Sequence, residues 1–120
     1  MAKFTLKFML ALHDDPRGFD DLSPEEMQQI VRRYTEWAGK LAEEGRMAGG
    51  EKLSDDGGKV IRRDGGEAVV KDGPYSETKE VFAGFFLIHA NSYEDAVEVS
   101  RTCPHLEYGG TIEIRAVDLQ

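Results

Sequence analysis

Three histidines, one cysteine and a carboxylate-rich turn are the residues of this chain with proton-transfer or ligand chemistry. His105 follows Cys103-Pro104 in a loop that feeds the last predicted strand. Its imidazole can exchange a proton near neutral pH, which suits a general acid or base. The end of a helix is also where a capping histidine sits. Asp72, in Asp72-Gly73-Pro74-Tyr75, is the carboxylate expected to orient His105 as its catalytic partner. A plain turn uses Asp and Pro in the same way. Tyr75, Glu80, His13 and Phe85 are the expected substrate contacts: a phenol, a carboxylate, an imidazole and a ring. His13 stands beside Asp14 and Asp15, charges that equally mark a solvated turn, and His89 ends a strand.

No metal and no cofactor are expected. A metal needs three or four converging ligands, and His13, Asp14, Asp15, Asp20 and Asp21 have neither EF-hand nor His-x-x-x-His spacing. Cys103 falls on the inner stripe of a predicted helix, where a thiol packs rather than reacts. Ser76 could join His105 and Asp72 in a hydrolytic triad, but it lies in no nucleophile-elbow motif. The paired glycines sit in no phosphate-binding frame.

Fifteen Lys and Arg against 23 Asp and Glu give a net charge of −8. That is the opposite of a phosphate-backbone surface, so no nucleic-acid partner is expected. No apolar run approaches the roughly 18 residues of a bilayer span, so no membrane partner is expected either. The N-terminus alternates like a strand and reads as no signal peptide. A lone cysteine excludes an internal disulfide framework and points to a bacterial-type cytoplasm. The 120 residues make one domain, 1–120.

The elements that must position these groups follow from periodicity. Residues 3–12 alternate, with Phe4, Leu6, Phe8, Leu10 and Leu12 on one side, as a half-buried strand does. Ser23-Pro24-Glu25-Glu26 is a capping-box start. Ile30, Tyr34, Trp37 and Leu41 then mark a helix of five to six turns closed by Gly45. A short strand is expected within 46–54, and Asp64-Gly65-Gly66 predicts a projecting hairpin inserted at about 59–72. Val81–Ala90 is apolar at both alternating sets, Phe82, Phe86 and Ile88 opposite Ala83, Phe85 and Leu87, so both faces should be covered. Ser92-Tyr93-Glu94-Asp95 caps a second helix bearing Ala96, Val99 and Cys103, and Thr111–Val117 is the last strand.

The order is the β-α-β-(hairpin)-β-α-β of an α+β ferredoxin-like fold, an antiparallel sheet with two helices on one face. The chain's helices cover one side of Val81–Ala90, so a second copy should cover the other, making a homodimer.

Asp72-Gly73-Pro74-Tyr75, with Glu77, Lys79-Glu80 and Gly84, resembles the signature of the DGPF branch of the YCII-related (YciI-like) family. Cys103-Pro104-His105 and Gly110-Thr111-Ile112-Glu113-Ile114-Arg115 resemble its C-terminal pattern. Position 75 is Tyr where the branch's name has Phe, and the added hydroxyl needs a partner if buried. The resemblance implies a dimeric α/β-barrel of ferredoxin-like protomers. It also implies an enzyme reading based on a His–Asp pair in a cleft, and a link to extracytoplasmic-function sigma factors.

Two functions stay open. One is a small cofactor-independent acid/base enzyme, isomerase- or lyase-like, acting on a small organic molecule in a dimer cleft. The other is a non-catalytic homodimer that binds a small molecule or a protein, in a sigma-factor circuit.

Overall fold

A computed structural model describes residues 4–75 and 78–118. Six strands and two helices run in the order β1 (Leu6–Asp14), α1 (Pro24–Glu43), β2 (Met47–Lys52), β3 (Lys59–Asp64), β4 (Glu67–Asp72), β5 (Val81–Ala90), α2 (Tyr93–Ser100) and β6 (Thr111–Ala116). Short 3-10 helices at Pro16–Phe19 and Pro104–Tyr108 complete the chain. The main sheet has the strand order β2-β5-β1-β6, antiparallel throughout. With both helices packed on one face, this is the ferredoxin-like α+β arrangement.

The helices start where the sequence places their caps. Ser23 accepts from the Glu26 amide, and Glu26 reaches back to the Ser23 amide, a reciprocal cap that satisfies two otherwise orphaned donors. Ser92 does the same for the Asp95 amide. The second helix ends at Ser100, and Cys103 follows it in a turn, still buried. The core lies between Phe8, Leu10, Ile88 and Ala90 of the sheet and Trp37, Leu41 and Ala96 of the helices. Trp37 meets Phe86 edge-on, with ring centroids 5.2 Å apart. Its indole N–H donates to Thr102 Oγ1 at 2.8 Å, so the large ring is buried without an unpaired donor.

The opposite face of the sheet carries Met9, Ala11 and His13 from β1, Phe85 and Leu87 from β5, and Glu113 and Arg115 from β6. One irregularity decides how this face ends. The register shifts between Leu12, opposite Gly84, and His13, opposite Phe82. The extra β5 residue is a bulge, which turns Phe82 onto the side of Phe85 rather than that of Phe86. The two rings stack with centroids 6.5 Å apart. The expected grouping of Phe82 with Phe86 is corrected here, because strict alternation cannot foresee an inserted residue. The first strand also runs on past Leu12, since His13 and Asp14 pair with Phe82 and Val81.

The hairpin stands apart as a two-stranded sheet, β3 with β4. It draws the molecule out to 50 × 44 × 18 Å with a radius of gyration of 16.5 Å. A compact chain of this length would have about 14 Å.

Candidate functional site

The chemistry-bearing residues gather where β1 ends, β5 begins and β6 begins. His13 lies on the open face at the last register before the strands part. Glu113, two residues along β6 from its partner Thr111, points to the same face. Their side chains meet, the His13 Nε2–H donating to Glu113 Oε1 at 3.1 Å. A carboxylate can only accept, so this contact fixes Nε2 as the protonated nitrogen and leaves Nδ1 to take up a proton. Phe82 packs beside the imidazole with centroids 5.8 Å apart, and Phe85 follows it. Glu80 is held nearby, its Oε1 accepting from the Thr111 hydroxyl at 2.9 Å.

Next along β1 comes Asp14. Burial raises its pKa above the ordinary carboxylate value; His105 opposes this, Asp55 reinforces it, Lys52 opposes it and Asp15 reinforces it. Asp15 itself turns outward, with a lowered pKa from hydrogen bonds from the Arg17 side chain and backbone.

His105 sits beneath this corner, only 2% exposed. Its Nε2–H donates to the His13 carbonyl at 2.9 Å. The carbonyl cannot donate, so in the neutral ring Nδ1 accepts from the Tyr34 hydroxyl, also at 2.9 Å. Burial pushes the Tyr34 phenol well above its ordinary value, which keeps it a donor at neutral pH. Both ring nitrogens are thereby engaged inside the protein. A Cβ on Gly110 would overlap the imidazole, so the loop closes directly over it. His105 thus fixes the main chain at His13 and contacts no open surface of its own. Cys103 is buried beside it, and burial raises the thiol to about 11, so it stays protonated.

The Asp72–Tyr75 turn lies elsewhere, at the root of the hairpin. Asp72 is exposed and paired with Lys59, and the Gly73–Pro74 peptide is cis. Tyr75 is 74% exposed, so its hydroxyl needs no buried partner. No contact joins Asp72 to His105 among the described residues. Ser76 and Glu77 lie outside the described residues. Among the described residues, no group of three or more His, Cys, Asp and Glu side chains is placed to hold a metal ion. No helix among the described residues is long and apolar enough to cross a membrane.

Of the residues singled out from the sequence, the structure brings His13, Glu80 and Phe85 to one sheet end and sets His105 behind them. Glu113, Asp14 and Tyr34 were missed as partners. Glu113 had a signal in being a lone acid on an alternating strand, but its pairing with His13 depends on a register 100 residues apart.

A family model described as the YCII-related domain matches residues 6–118. No curated protein matches the sequence.

Proposed function

The chain belongs to the YCII-related domain family, and on that premise we propose a small cofactor-independent acid/base enzyme of isomerase or lyase type. It works as a cytoplasmic homodimer of the DGPF branch, with the open face of the sheet as the cleft. The observation that carries this reading is the His13–Glu113 contact of 3.1 Å beside the Phe82 and Phe85 rings.

In an isomerisation, His13 Nδ1 takes a proton from a carbon next to a carbonyl, and the C–H electron pair moves toward the carbonyl oxygen. Returning the proton at a neighbouring atom completes the step. Glu113 holds the ring and stabilises the imidazolium that forms. His105 and Tyr34 act as positioning residues, because they fix the His13 main chain. Met9, Ala11, Phe85 and Leu87 form the apolar face that a second copy would cover. Glu80 stands at the edge of that face through Thr111.

The test is proton exchange in deuterium oxide across a panel of small oxo acids and ketones, followed by proton NMR. The protein should accelerate loss of an α-proton signal for at least one compound. His13→Ala should reduce that rate by roughly 10²-fold or more, the usual share of general acid/base catalysis. Glu113→Gln should reduce it less, since Nδ1 remains. Acceleration that survives His13→Ala, or none across the panel, would overturn the assignment.

A second reading, a non-catalytic homodimer that binds a small molecule or a protein, is favoured by a separate feature, a hollow between one face of the β3–β4 hairpin and the Pro74–Tyr75 segment. There Tyr75 serves binding, while Asp72, paired with Lys59, serves the turn.

A further inference from the structure

The β3–β4 register puts Val60, Arg62 and Asp64 on the same face as Lys71, Val69 and Glu67. The chain returning from β4 folds Pro74 and Tyr75 against the root of that face. Between them is a hollow of about 470 Å³, lined by Val60, Arg62, Val69, Lys71, Pro74 and Tyr75 among others. Its walls are exposed apart from the half-buried Val60, so the hollow is an open groove on the hairpin face rather than an enclosed pocket. The Arg62 guanidinium lies 5.9 Å from the centre of the Tyr75 ring, at the edge of cation–π range.

The lining sets three cations, Arg62, Arg63 and Lys71, against two acids, Asp64 and Asp72, in a chain of net charge −8. Asp72 also lines the hollow, but Lys59 holds it. Arg63 is turned to the Gly66 carbonyl. Asp64 and Glu67 lie toward the tip on the same face, Glu67 diagonal to Arg62 on the tip side as Lys71 is on the root side. Arg62 and Lys71, nearer the root, form no ion pair among the described residues. They are diagonal neighbours on one face, about 7–8 Å apart at the backbone, close enough for one carboxylate to reach both. Two open cations above a valine floor and beside an aromatic ring, in a protein of net charge −8, match a flat anion with an apolar body.

We propose that this face of the hairpin is a binding site for a small aromatic carboxylate, its charge held by Arg62 and Lys71 and its ring set against Tyr75, Val60 and Val69. The site shares no residue with the His13–Glu113 pair and does not depend on the acid/base reading.

Titration of the isotope-labelled full chain with sodium benzoate, followed by NMR, tests it. Benzoate should shift the amides of Arg62 and Lys71 and the Tyr75 ring saturably, with Kd on the order of 1 mM. Benzamide, which lacks the charge, and acetate, which lacks the ring, should each bind at least tenfold more weakly. Arg62→Ala and Lys71→Ala should each weaken benzoate about tenfold. Strand-like β3 and β4 amide shifts beside unchanged β1 and β5 shifts would show that both variants keep the hairpin and the main sheet folded. His13→Ala should leave benzoate binding as it is, so a failure here is distinct from a failure of the acid/base assignment. Equal binding of benzamide, no saturation by about 20 mM, or hairpin shifts that follow protein concentration instead of benzoate would overturn the proposal.

Discussion

Asp14 is held in a partly buried corner with a raised pKa, so its ionised form works against the fold. The sign follows from linkage. A carboxyl whose folded pKa lies above its unfolded value destabilises the protein while both states are ionised. That penalty fades as pH falls through the raised folded value and is gone below the ordinary value near 3.9. Asp14→Asn should therefore raise the melting temperature at pH 7, and the gain over wild type should disappear near pH 3. Thermal unfolding at the two pH values checks this, and equal melting temperatures at pH 7 would refute it. An enzyme could keep such a penalised carboxylate for its chemistry, as strained or desolvated groups collect where a site needs them. His105 differs in kind: it is buried, but each nitrogen has its partner, so the same corner holds one satisfied and one penalised polar residue.

At the scale of elements, one ion pair fastens α2 to the sheet. Arg46, just before β2, donates to both Asp95 carboxylate oxygens at 3.0 and 3.1 Å and to the His89 carbonyl at 3.2 Å. Asp95 also accepts from the Asn91 amide, and the Arg46 head covers the Phe4 ring. The hydrogen bonds from Arg46, and then that from Asn91, lower the pKa of the carboxyl. Stability from a lowered carboxyl is complete above its ordinary value and lost as pH falls through the folded one. Asp95→Ala should destabilise by about 2 kcal/mol at pH 7, the scale of a charge-assisted pair with a lost partner. Denaturant unfolding should show it, with less difference between the proteins below about pH 4. The Ser23 and Ser92 caps, the length of α1, the hairpin glycines and the span of β5 were all legible, because each rests on neighbours in sequence. The side of Phe82, the pairing of His13 with Glu113 and the burial of His105 were not. The first depends on a single inserted residue, the second on the register of two strands from opposite ends of the chain. The third needs Tyr34, 71 positions upstream, to make burial of an imidazole tolerable.

For the whole molecule, the open sheet face joins Met9 to Leu87 and Ala11 to Phe85 across one ladder. If a second copy covers it, sedimentation equilibrium at about 10 μM should give twice the 13.4 kDa chain mass. Leu87→Asp, which puts a charge at the centre of that face, should weaken association roughly thirtyfold or more. A monomeric wild type at that concentration would refute the dimer. The central ladder also fixes how the chain must close. β1 and β5 are separated by everything from residue 15 to residue 80, including the hairpin at 59–72. Loop-closure entropy grows only with the logarithm of loop length, so carrying the hairpin within that loop adds about 0.2 kcal/mol. The folding search is nearly blind to the ribbon's presence, and its length and side chains are free to vary with whatever the ribbon holds.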